Sequence, residues 1–172
     1  MSRTARLLIE NVCYHIITRG NQRQKVFVDE ADCLRYLDIL AKYKKRFKFL
    51  IFSYCLMSNH VHLVIDLDGT RNLAKPMQAI NQSYTRHFNY KYHKSGHLWQ
   101  GRFKSMILHK DKYLLDCINY IELNPVRARM VNGPLDYQWS SYRDRIMGTN
   151  GSLIDSLRMV EGHPTEQIGE RP

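Results

Sequence analysis

Two histidines stand one residue apart in the stretch Cys55-Leu56-Met57-Ser58-Asn59-His60-Val61-His62-Leu63-Val64-Ile65. The flanking residues are apolar and partly β-branched, the composition of a buried strand. Side chains alternate along a strand, so His60 and His62 share one face while Val61, Leu63 and Ile65 take the other. Two imidazoles on one face can chelate a metal ion. They can equally be polar residues near a strand end, satisfied by hydrogen bonds, and this stretch alone leaves both readings open. A second pair, Tyr120 and Asn124, is four residues apart in a helical pattern and shares a helix face. If that face meets the histidine face, three metal ligands and one nucleophile converge. A metal there would polarise a phosphoryl group and help present a phenol whose ordinary pKa of about 10 makes it a poor nucleophile unaided. Taken singly, Tyr120 reads as a packed helix tyrosine and Asn124 as a C-terminal cap.

Tyr113 is the rival nucleophile, because it precedes Tyr120 by nearly two turns and shares its face. At a rise of 1.5 Å per residue it sits about 10 Å farther toward the helix start. Only Tyr120 is one turn from Asn124, so only Tyr120 can meet a phosphate held beside that residue.

The elements that must position these groups follow from periodicity. Val12 to Thr18 reads as a first strand, ended by Arg19-Gly20-Asn21. Asp29 is placed to cap a helix running to about Phe47, with Cys33, Leu37, Leu40 and Phe47 as its apolar stripe and Tyr36 and Tyr43 flanking it. Phe49 to Cys55 is a second strand, Met57-Ser58-Asn59 a tight connection, and the histidine strand its antiparallel partner. Thr70 to about Lys91 is helical, with Pro76 in the first turn. Ser105 to His109 is a fourth strand. Asp111 caps a helix to about Leu123 whose buried stripe is Leu114, Ile118 and Ile121, and Asn124-Pro125 closes it. A last short helix starts at Trp139-Ser140-Ser141-Tyr142. The order is βαββαβ followed by a helix, an α+β plan in which helices cover one face of an antiparallel sheet. The expected domain is 1–146. Residues 147–172 read as a weakly ordered tail with one possible helical turn between Leu153 and Val160.

Charge narrows the partner. Lysine and arginine number 26 against 16 acidic residues, a net charge of +10. Such an excess points to a polyanion. The basic residues interleave with aromatics in Arg86 to Lys94 and again in Trp99 to Lys104, a mixture suited to unpaired bases and phosphates. Arg86, Trp99, Arg102 and Lys104 from these stretches, with Arg19 and Asn21 from the first turn, are the candidate nucleic-acid contacts. Which of Arg19, Asn21 or Arg102 reads a base is left open. The four cysteines lie in apolar stretches with no C-x-x-C pair and read as reduced residues of a cytoplasmic protein. No run approaches a membrane span, and no apolar leader stands at the N-terminus.

The chain resembles the HUH single-strand transposases with one catalytic tyrosine, and most closely those associated with repetitive extragenic palindromes (REP) in bacteria. The resemblance rests on Tyr14-His15 followed by Arg19-Gly20-Asn21, on Tyr54 to Val64, on Gly96-His97-Leu98-Trp99-Gln100-Gly101-Arg102-Phe103-Lys104, on Tyr120-Ile121-Glu122-Leu123-Asn124-Pro125-Val126-Arg127-Ala128, and on Trp139-Ser140-Ser141. It spans about Arg3 to Tyr142. It implies a ferredoxin-like sheet, His60 and His62 as metal ligands, Asn124 as the third, and Tyr120 as the nucleophile. It further implies Mg²⁺ or Mn²⁺ as cofactor and cleavage of single-stranded DNA beside a hairpin. The products would be a 5′-phosphotyrosine and a free 3′-OH. The protein would be bacterial, cytoplasmic and nucleoid-associated, as a monomer or homodimer. Two other readings compete: a catalytically idle binder of hairpin or single-stranded DNA, and a zinc hydrolase built on His60 and His62.

Overall fold

The β-branched and aromatic residues from Val12 to Arg19 form strand β1, one of the two interior strands of the sheet. The computed structural model describes residues 12–67, 72–109, 112–148 and 153–157. Strand β2 is Leu50–Met57 and β3 is His60–Asp66, joined by a turn at Ser58 and Asn59. Strand β4 is Lys104–His109. The order across the sheet is β2-β3-β1-β4, with every neighbouring pair antiparallel. A β-bulge between Ile51 and Ser53 inserts one residue into β2. It explains why Ile51, Tyr54 and Leu56 face one core while Phe52, Cys55 and Met57 face the other.

Helix α1, Glu30–Phe47, begins where expected: Asp29 and Asp32 form a reciprocal capping box. Its buried side is Cys33, Tyr36, Ile39, Leu40 and Tyr43. Tyr36 and Tyr43 are therefore core residues rather than flanks. Helix α2 is Ala74–Lys91, with Pro76 in its first turn and Met77, Ile80, Tyr84 and Phe88 buried. The expected start at Thr70 lies outside the described residues. Both helices pack on the sheet face formed by Val12, Tyr14, Ile16, Val61, Leu63 and Ile65.

The opposite face is covered by α3, Lys112–Glu122, through Leu114, Ile118 and Ile121 against Cys13, Phe52, Cys55, Met57 and Val64. Thus α1 and α2 form one layer, the sheet a second, and the added helix a third. The short helices α4, Asn124–Arg127, and α5, Tyr142–Met147, follow. Class and element order agree with the α+β expectation. The expected cap at Asp111 lies outside the described residues.

Part of the expected tail joins this body. Ile51 and Asp155 exchange two hydrogen bonds: Asp155 N–H donates to the Ile51 carbonyl at 2.7 Å and Ile51 N–H to Asp155 Oδ2 at 2.8 Å. Lys44 donates to the Leu153 carbonyl and pairs with Asp155 at 2.7 Å. Leu153 and Ile154 pack on the core below α1 and α2. Residues 153–157 form no helix, and the remainder of the expected turn to Val160 lies outside the described residues. No described helix is long and apolar enough to cross a membrane.

Candidate active site

Strand alternation sets the first half of the site. His15 and His62 lie on the sheet face that α3 covers, as Cys13 and Val64 do, and His60 shares it. His15 Nε2 and His62 Nδ1 are 2.9 Å apart, with the rings stacked at 5.2 Å between centroids. His60 Nδ1 lies 2.6 Å from Asn59 Oδ1, and the same amide donates through Nδ2 to the Arg23 carbonyl at 3.3 Å. That second bond orients the amide, so His60 Nδ1–H is the donor to Asn59 Oδ1. His60 and His62 therefore each have Nδ1 tied to the protein, and the Nε2 of neither bonds a described residue. Burial lowers the pKa of His60; it lowers that of His15 to about 4 and that of His62, where the neighbouring histidines and Arg19 add to burial, to about 3. All three imidazoles are neutral near pH 7, the form that coordinates metals.

The second half comes from α3 and α4. Tyr120 stands edge-on to His62, centroids 6.5 Å apart and ring planes at 87°. The tyrosine helix thus meets the histidine face. Tyr120 is 45 % exposed, whereas Tyr113 on the same helix is 72 % exposed. The helical path continues beyond Glu122, because Leu123 N–H reaches the Asn119 carbonyl and Arg127 N–H the Leu123 carbonyl. Pro125, which lacks an N–H, sits in the first turn of α4 where that lack costs nothing. This carries Asn124 on, one turn past Tyr120, with its Nδ2 buried and unbonded. It also brings the Arg127 guanidinium over the Tyr120 ring, 4.7 Å from its centroid.

Glu122 anchors this end of α3. It is 1 % exposed and accepts hydrogen bonds from Ser141 Oγ at 2.5 Å and from Arg145 Nη2 at 2.9 Å. Arg145 also donates to the Phe52 carbonyl in β2. Helix α5 thereby ties the tyrosine helix to the sheet.

The six candidate DNA contacts separate into two groups. Arg19 pairs with His60 across β1 and β3, and Lys104 pairs with Ile17, which pairs in turn with His62. Directly opposed residues share a face, so Arg19 and Lys104 are on the histidine side. Asn21, Arg86, Trp99 and Arg102 instead line a cleft of about 650 Å³ between α2 and the loop after it. Trp99 is only 8 % exposed, packs on Tyr84 and donates Nε1–H to the Asn81 carbonyl, so it serves as the cleft's wall more than as a free stacking platform. Gly20 holds the groups together: its N–H donates to the Asn59 carbonyl at 2.8 Å, and a Cβ there would lie 2.5 Å from the Gln24 carbonyl oxygen and 2.8 Å from Val26.

Two residues of the site were not singled out by type and spacing. His15 belongs to another strand, and only the antiparallel register sets it diagonally beside His62. Arg127 follows a proline that reads as a helix stop, and the continuing turn puts it over Tyr120.

A divalent metal fits these donors. The Nε2 atoms of His60 and His62 lie on one face, and Asn124, one turn past Tyr120, could add its amide oxygen Oδ1; the buried atom without a partner there is Nδ2, an N–H donor and not a ligand. Among the described residues no group of three histidine, cysteine or acidic side chains is placed to hold a metal. A three-ligand zinc site on His60 and His62 therefore lacks its third member, and a site completed by an amide oxygen suits a harder ion.

The chain belongs to the family of IS200-like transposases, whose family model matches residues 8–124. Among curated proteins it is 29 % identical over 109 residues to a Haemophilus influenzae protein described as a REP-associated tyrosine transposase. That match takes in 57 % of this chain and 61 % of the other, so the chain spans about three fifths of that relative's length. Among solved structures, a REP-associated tyrosine transposase bound to a REP hairpin superposes with a TM-score of 0.68 at 20 % identity, over 99 % of this chain and all of that one. This likeness establishes the shared fold. A transposase from Deinococcus radiodurans matches more loosely, with a TM-score of 0.49 at 22 % identity over 70 % of this chain and 96 % of that one.

Proposed function

We propose that this chain cleaves and rejoins single-stranded DNA next to a hairpin, with Tyr120 as the nucleophile. The observation that carries this reading is the meeting of Tyr120 with His62 at 6.5 Å, on a face where two neutral imidazoles keep Nε2 free. The Tyr120 hydroxyl oxygen attacks the phosphorus of a phosphodiester, and its proton passes to water. The P–O3′ bond breaks, leaving a 5′-phosphotyrosine and a 3′ oxygen that takes up a proton. Rejoining reverses the sequence: a 3′-OH attacks, and the tyrosine leaves and is reprotonated. Arg19 and Lys104 flank the histidines and Arg127 lies over the nucleophile, so three cations face the site of a bound phosphate. Mg²⁺ or Mn²⁺ held by His60, His62 and Asn124 would polarise a phosphoryl oxygen and offset the charge that builds on it.

The hairpin is the natural partner by fold likeness to a protein solved on one, and by the basic cleft of Asn21, Arg86 and Arg102. Unpaired bases beside the stem suit that cleft. The test is a denaturing gel with an end-labelled hairpin oligonucleotide carrying a single-stranded flank. The unaltered chain and Tyr113→Phe form a covalent adduct in Mg²⁺, while Tyr120→Phe binds the hairpin and forms none. An adduct retained by Tyr120→Phe and lost by Tyr113→Phe would overturn the assignment.

A further inference from the structure

We infer that His15 is a positioning residue: by accepting the proton of His62 Nδ1 it fixes the tautomer that leaves His62 Nε2 open as a ligand. This rests on the metal site proposed above. The pair is 2.9 Å apart and buried, so one nitrogen must donate and the other accept. Two arrangements are possible within the pair. If His15 donated, His62 would carry its own proton on Nε2, the atom that faces the site, and could not coordinate there. If His62 donates, its Nε2 lone pair is free and His15 keeps its own proton on Nδ1. Only the second arrangement gives a ligand.

The site itself contains the parallel. His60 has the same need, and Asn59 Oδ1 meets it at 2.6 Å on Nδ1. An amide is a fixed acceptor because its other end is bonded to the Arg23 carbonyl. His62 has no such neighbour in sequence, and the acceptor comes instead from β1, 47 positions earlier. His15 is not itself a third ligand, since its Nε2 is engaged with His62 and the described residues hold no three-histidine metal group. Ligand histidines commonly have their second nitrogen held in this way, and losing the partner weakens metal affinity by about 10–100-fold. Without an acceptor at His15, the proton of His62 gains by moving to Nε2, where water can receive it, and the ligand atom is blocked.

Two measurements on the full chain test this. The first reads the tautomer with no metal and no substitution. Long-range ¹H–¹⁵N correlation of the histidine rings at pH 7 should show His62 protonated at Nδ1, and a proton on His62 Nε2 would overturn the inference whatever the metal does. The second titrates Mn²⁺ alone and follows free Mn²⁺ by electron paramagnetic resonance. His15→Phe keeps the ring shape and removes the acceptor, so its affinity should fall about 10–100-fold. His15→Gln returns an acceptor oxygen and should recover most of the loss. Unchanged affinity in His15→Phe, or equal weakness in both variants, would overturn the inference while leaving the metal site standing. Absence of Mn²⁺ binding in the unaltered chain would overturn the metal site and this inference together.

Discussion

The Arg127 guanidinium lies over the ring of Tyr120, 4.7 Å from its centroid. The contact joins the residue proposed to attack phosphorus with a cation that never loses its charge. It restricts the ring and places positive charge where a phosphate must arrive. A stacked cation of this kind contributes about 1 kcal/mol, or roughly fivefold in rate if it is lost from the transition state. Arg127→Gln should slow adduct formation in single-turnover assays by at least that factor, with hairpin affinity falling less. Equal losses in rate and affinity would make Arg127 a plain DNA contact.

The histidine pair separates cleavage from binding. His60→Ala removes one proposed ligand from a face whose charge is otherwise intact. It should abolish adduct formation in Mg²⁺ or Mn²⁺ while a gel shift retains most of the hairpin affinity. That affinity should fall steeply with salt, because distributed lysines and arginines supply it. Normal cleavage by the variant would end the metal-site reading.

Acid should weaken the metal-free fold in a defined window. His15 and His62 have folded pKa values of about 4 and about 3, set chiefly by burial, against 6.5 for a free histidine. Below pH 6.5 the unfolded chain takes up protons that the folded chain refuses, so stability is full above that point and falls as pH drops toward 4. Each histidine should remove about 1–2 kcal/mol between pH 7 and pH 5. Urea unfolding in a chelator at the two values measures the change. Asp29, held low by its hydrogen bond from Lys91, acts only below the ordinary carboxylate range, whereas His60 and His87, both lowered chiefly by burial, add to the loss in the same window. A flat profile from pH 7 to 5 would show that these imidazoles protonate in the folded protein.

The Glu122–Arg145 link should be costly to cut from one side. Arg145→Ala leaves a buried carboxylate with only the Ser141 and Ser53 hydroxyls as partners in place of the guanidinium. Removing one member of a buried ion pair costs about 3–5 kcal/mol, and Arg145 is itself partly exposed, so the lower end applies. Thermal unfolding should show the loss. An Arg145→Ala, Glu122→Gln double variant should recover part of it.

Much of this molecule is readable from local pattern. The capping box at Asp29, the stripe of Leu114, Ile118 and Ile121, and the alternation of His60 and His62 are each set by residues within a few positions of one another. Tyr120 and Asn124 are one turn apart by the same logic. What escaped depends on register and on chain that returns from far away. His15 meets His62 only through strand pairing, and the bulge beside Phe52 changes which β2 residues share a face. Trp99 carries the composition of a stacking surface, yet tertiary packing on Tyr84 encloses it. Asp155 sits in a polar, glycine-containing stretch and gives no local sign that it will pair with Ile51.

The outer margin of β2 has a consequence for assembly. A strand at the border of a sheet offers unpaired amides and carbonyls that can recruit a strand from another molecule. Here Trp139 and Ser141 bond the backbone of Leu56 and Tyr54, and Asp155 bonds that of Ile51. The border is closed by the chain's own later residues, which act as a hem. Among the described residues β4 has a ladder partner only in β1. Among the described residues, then, it is the β2 border that is closed to strand addition, and two copies could merge their sheets through β2 only after unpicking segments 139–141 and 153–155.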